Sequence, residues 1–135
     1  MKGISMDYEQ DYIMRMVKDM ARMIAKMLLG RTTPKYTFPE EERNFSQTDW
    51  LCRKWMAMAD QGQINEAENE LSDYLEAGTG SGEELRAALG FYVHINEYSD
   101  DFLDEHDYSR EEIYQGVEEL STRFGVTGLN IKLPG

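Results

Sequence analysis

Apolar residues recur every three or four positions in five separate stretches of this 135-residue chain, and four of the five stop at a glycine. That spacing gathers the apolar side chains of each stretch on one side of a 3.6-residue helix. Glycine closes such a helix most easily, because it takes the left-handed conformation without strain. The period-two alternation of a half-buried strand is nearly absent. The pattern predicts an all-α fold: a long amphipathic N-terminal helix and four shorter helices in two hairpins. The length is that of one ordinary domain, and 41% apolar residues suffice for one core.

The longest stretch, YEQDYIMRMVKDMARMIAKMLL over residues 8–29, ends at Gly30. At about 100° per residue, Ile13, Met16, Val17, Met20, Ile24, Met27 and Leu28 share one face. Arg15, Lys18, Arg22 and Lys26 lie opposite, with Asp11 and Asp19 among them. Five charges within residues 12–29 exclude a membrane-spanning role.

Four units follow from this pattern: the N-terminal helix at 1–30, a linker at 31–47, a helical body at 48–125 and a flexible tail at 126–135. Pro34 and Pro39 interrupt any helical period in the linker and bias the preceding residues toward extended backbone. Its length leaves the first helix free to move relative to the body. In the body, Trp50, Leu51, Trp55, Met58 and Ala59 mark a helix over about 48–61 that Gly62 stops. Ile64, Ala67, Leu71, Tyr74 and Leu75 mark the next, with Asn65 and Glu68 at capping-box spacing. Beyond the AGTGSG break at 77–82, residues 83–98 are apolar nearly all round, as a central helix is. Ser81 and Glu84 carry the capping spacing there, and Ser109 and Glu112 repeat it before Ile113, Val117, Leu120 and Phe124. Residues 99–108 read as a loop, with room for a short turn at Phe102–Leu103.

Charge is unevenly spread. Residues 1–35 carry a net +3 and residues 36–135 a net −15, together the chain's −12. An acidic body disfavours nucleic acid, whose phosphates supply most non-specific affinity. One cysteine permits no internal disulfide. MKGISMDYEQDY at the start lacks the apolar run of a signal peptide, so the expected location is cytoplasmic.

Little in the chain has the form of a catalytic or metal site, and no cofactor is expected. Cys52 has Arg53 and Lys54 beside it but no nearby base, which favours an inert thiol over a nucleophile. His94 and His106 are twelve apart and outside any metal-binding frame. Asp100, Asp101, Asp104, Glu105 and Asp107 lack the alternation of a calcium loop and read as a solvated run that feeds negative charge to the last helix. AGTGSG lacks the lysine of a phosphate loop.

ADQGQINEAENELSDYL at 59–75 weakly resembles one tetratricopeptide hairpin, with Gly62, Ala67 and Leu71 at its turn, small and large positions. Trp55 stands where that repeat has a small residue. A broader resemblance rests on three blocks in order: DYEQDYIMRMVKDMARMIAKMLLG, GQINEAENELSDYLEAG and HDYSREEIYQGVEELSTRFG. Together they resemble an uncharacterised bacterial family known mainly from Firmicutes, a domain of unknown function. That resemblance implies no activity, ligand or catalytic residue. The family-like block begins at Met6, so the five residues before it read as an extension or an upstream start.

The sharpest functional feature is the methionine-rich first helix, a soft apolar surface able to adapt to partners. Docking of that face on the acidic body, within one chain or across a dimer, is the leading expectation. Partner binding would use Ile13, Met16, Met20, Ile24 and Met27, with Arg15, Lys18, Arg22 and Lys26 beside them. The expected function is a non-enzymatic interaction or regulatory domain with a protein partner, itself or another. A ligand pocket or enzyme site in the body is the alternative. Peripheral membrane attachment is a weaker one, since anionic lipid would repel the body.

Overall fold

Among the described residues, serines start four of the six α-helices. Ser46, Ser81, Ser99 and Ser109 each accept, through the side-chain oxygen, the backbone N–H of the residue three positions on. Each bond satisfies one of the orphan donors of a helix N-terminus. The capped helices are α2 (Gln47–Asp60), α4 (Gly82–Ile95), α5 (Asp100–Glu105) and α6 (Arg110–Arg123). The other two are α1 (Lys2–Ile24) and α3 (Ile64–Ala77). The computed structural model describes residues 2–125, with side chains described from Glu9 onward. The expected tail at 126–135 lies outside the described residues.

All of these elements are helical, as the periodicity predicts. Helices α2 and α3 form one hairpin about Gly62, and α4 and α6 form another with α5 in the connection. Contact between α2 and α4 joins the hairpins, and α1 lies along α6 and reaches α4. Leu85, Ala87, Ala88, Leu89, Phe91, Tyr92 and Ile95 are all buried, so α4 is the central helix its all-round apolar character predicts. Ile113, Val117 and Leu120 of α6 and Ile64, Ala67, Leu71 and Leu75 of α3 are buried as their spacing requires.

Several expectations need correction. Residues 99–108 hold more than a short turn at Phe102–Leu103: Ser99 caps the short helix α5, which buries Leu103, and the connection resumes at His106. Asn65 is no cap, because α3 begins one residue earlier and its first turn has no side-chain cap. Asn65 Nδ2 instead donates to the Asp107 carbonyl at 3.2 Å. Glu84 forms half of its expected box, its carboxylate accepting from Thr79 and Gly80 at 3.1 and 3.0 Å. The full box is at Ser46 and Asp49, where sequence reading had not placed one. Trp50 does not join the buried face of α2 but is 47% exposed, its ring on Phe45.

The end of the first helix differs most. Residues Ala25–Leu29 form one π-helical turn, closed by Gly30 in the left-handed conformation. Such a turn advances less than an α-helical step per residue. Leu29 therefore packs on the core, while Met27 and Leu28, on the same apolar face as Ile24 by sequence spacing, are exposed.

The segment 31–46 is extended at its prolines, but it is no slack tether. Tyr36 is buried, with its Cβ so near Gly90 of α4 that a side chain at Gly90 would meet it at 2.7 Å. The Tyr36 hydroxyl donates to Asp49, and Arg86 lies over the ring at 4.3 Å.

Candidate functional site

Helix α1 carries more apolar surface than the core can take. Val17, Ala21, Ile24 and Ala25 are fully buried, and Ile13 and Met20 pack partly against them. Met16 is half-buried. On the outward side, Tyr12, Met23 and Met27 stand 56%, 42% and 58% exposed, with Leu28 beside them. The arc of apolar residues is thus wider than the face docked on α6 and α4. What remains is a solvent-facing strip in which Met16, Met20, Met23 and Met27 are spaced four, three and four apart.

The structure separates the residues singled out in the sequence. Ile24 is interior and unavailable to a partner. Ile13, Met16 and Met20 straddle the edge of the docked face, and Met27 is fully presented. Met23 also lies on the presented strip; at a uniform helical step it falls at the edge of the apolar face beside Met16, as one of the methionines of the soft surface, although it is not among the partner contacts named from the sequence. Arg15 and Lys26 are exposed. Arg22 pairs with Asp19 at 2.5 Å, and Lys18 faces Glu97 at 3.8 Å.

Polar groups inside the body are structural in their geometry. Burial alone would push the Asp49 carboxyl up, but the Tyr36 hydroxyl and the Ser46 N–H and hydroxyl outweigh it and hold it below its ordinary value. Tyr92 donates to Glu68 at 2.6 Å and Tyr98 to Asp60 at 2.5 Å. Burial first, then these carboxylates, push both phenols up, away from any proton transfer near neutrality. Arg110 is buried, donating to the Asn96 carbonyl at 2.7 Å, the Tyr98 carbonyl at 3.1 Å and the Asp100 carboxylate.

Cys52 is fully buried, and desolvation pushes its thiol up to about 12, so it has no thiolate character. His94 Nε2 lies 2.8 Å from Asp60, and His106 Nδ1 lies 2.9 Å from the Phe102 carbonyl. Neither meets a nucleophile. Asp100 pairs with the Arg110 guanidinium. Among the described residues no group of three or more His, Cys, Asp or Glu side chains could hold a metal ion, and no helix is long and apolar enough to cross a membrane.

No curated protein and no solved structure matches the chain. A family model does, over residues 7–125. That span runs from the second turn of α1 to Gly125, just past the end of α6, so the match takes in the outer strip and the body together. The chain belongs to the family of unknown function DUF6483.

Proposed function

We propose that this protein is a non-enzymatic interaction module that pairs with a second copy of itself through the outer strip of α1. The observation that carries this reading is the surplus of apolar surface: the helix buries Val17, Ala21, Ile24 and Ala25 yet leaves Met23 and Met27 in water. Exposed methionines are costly to hydrate and adapt readily to an opposing surface.

Charge favours a second copy as the occupant. Asp19 and Lys26 flank the strip seven residues apart. An antiparallel copy sets Asp19 of each opposite Lys26 of the other, with the methionines interleaved between them. The hairpins α2–α3 and α4–α6, packed in a tetratricopeptide-like manner in this reading, hold the strip rigid.

The test is the solution mass by light scattering, for the full chain and for a Met23→Glu/Met27→Glu variant. The expected result is a dimer that becomes a folded monomer in the variant. A full chain that stays monomeric up to high micromolar concentration overturns the reading. Salt distinguishes the membrane alternative. Pairing carried by apolar burial should persist in salt, because screening weakens the Asp19–Lys26 pairs and the repulsion between chains of net charge −12 alike, whereas binding to anionic vesicles would fade.

A further inference from the structure

A groove of about 270 Å³ opens on a different flank of α1 from the methionine strip. Its walls are Lys18 and Arg22 of α1, the Thr33–Lys35 segment, and Val93, Asn96 and Glu97 at the end of α4. In a chain of net charge −12, three basic side chains thus line one concavity, with Glu97 facing Lys18 from the opposite wall and Asp19 held by Arg22 at its edge. The proposal does not rest on self-pairing, since neither Met23 nor Met27 lines the groove; the two share only Asp19, which Arg22 holds.

The walls are held from behind. Lys35 sits on a turn in which its N–H donates to Thr33 Oγ1 at 3.2 Å, between Pro34 and the buried Tyr36. Asn96 at the floor is buried, its Nδ2 donating to the Met14 carbonyl at 3.1 Å and its own carbonyl held by Arg110 at 2.7 Å. Pro34, Val17 and Val93 give the groove an apolar lining between the charges. A partly apolar concavity with a fixed floor and donors on its walls is the form of a small-ligand site.

We propose that this groove binds a small, multiply charged oxyanion, a compact phosphate or polycarboxylate, with Arg22 and Lys35 as its principal donors and Lys18 as the third. Arg22 releases Asp19, an exposed neighbour, to do so. Lys18 turns from Glu97, which lies 3.8 Å away and opposes the anion. The carboxylate gives the proposal a signature that general surface attraction lacks. Removing Glu97 should tighten binding, while reversing Arg22 or Lys35 should weaken it.

The experiment is a titration of the ¹⁵N-labelled full chain with inorganic phosphate and, separately, citrate, against sodium chloride at matched ionic strength. Saturable amide shifts are expected at Thr33, Lys35, Val93 and Asn96 with at least one of the two anions, and the stronger one identifies the source class. Arg22→Glu and Lys35→Glu should each weaken it at least tenfold, Glu97→Gln should strengthen it several-fold, and Arg43→Glu, on an exposed side chain outside the groove, should leave it unchanged. All four positions are at the surface, so the amide spectrum of each variant also reports that the fold is intact. Shifts that fail to saturate, that match those in sodium chloride, or that survive Arg22→Glu and Lys35→Glu would overturn the proposal.

Discussion

The Tyr36 hydroxyl donates to the Asp49 carboxylate thirteen residues further on, and that bond fastens the proline-bearing segment to the first turn of α2. Asp49 simultaneously accepts from the Ser46 N–H at 2.8 Å, so one buried carboxylate caps a helix and anchors a strap. The strap carries α1 back toward the body.

Tyr36→Phe should lower stability by about 1–3 kcal/mol, since a buried charged acceptor loses a donor and keeps its desolvation. Asp49 holds its proton less tightly in the folded chain than in the unfolded one. Its contribution is therefore present above the ordinary carboxylate pKa, about 3.9, and is lost as pH falls through the lower folded value. With one donor gone, the folded value rises and the acid-side loss shrinks. Urea midpoints at pH 7 and pH 3.5 for both proteins check this. An equal acid-side drop in both would rule out the coupling.

Arg110→Met should cost about 3 kcal/mol or more, because the Asn96 and Tyr98 carbonyls and Asp100 lose their shared donor where α4, α5 and α6 meet. Arg123→Met, which breaks a surface pair with Glu76, should cost under about 1 kcal/mol. Chemical denaturation of the two variants gives the comparison directly. Equal losses would mean that burial of Arg110 is not what makes it matter.

Cys52 should react with an alkylating reagent at pH 8 only as fast as the body opens. Its thiol is buried against the Ala87 carbonyl at 3.7 Å and is pushed up to about 12 by desolvation. Labelling followed by mass should therefore accelerate in step with added urea. Fast labelling in buffer alone would contradict the packing of α2 on α4.

How far the sequence discloses this structure depends on whether an element repeats. Ile113, Val117 and Leu120 recur at one period and are all buried, so their helix and its face are plain before any coordinates. Tyr36 has no period to betray it. Its partners Asp49 and Gly90 are distant in sequence, and only the fold brings them together. Asn65 and Glu68 show the opposite failure, a correct spacing defeated when Ile64 enters the helix first. The outer strip was half legible. Methionine at 16, 20 and 27 follows from the pattern, and a uniform helical step sets Met23 at the edge of the same face beside Met16, but how much of that face the core covers does not follow. The π turn then exchanges Leu28 for Leu29 on the core. The groove was not legible at all, because its walls come from three elements whose contact no local pattern encodes.

The pairing strip makes one further measurable claim. If two copies associate through α1, folding and association are linked, and the unfolding midpoint must rise with protein concentration. For a chain of this size the expected rise is about 2–4 °C for each tenfold increase. In Met23→Glu/Met27→Glu the dependence should vanish. The midpoint should then match the low-concentration limit of the parent, because both side chains already face water and an exposed substitution costs within about 0.5 kcal/mol. Calorimetric scans over a hundredfold range of concentration decide the matter. A midpoint that does not move in the parent leaves the strip without a second copy. A variant destabilised at every concentration would instead place Met23 and Met27 in the packing of α1 on its own body.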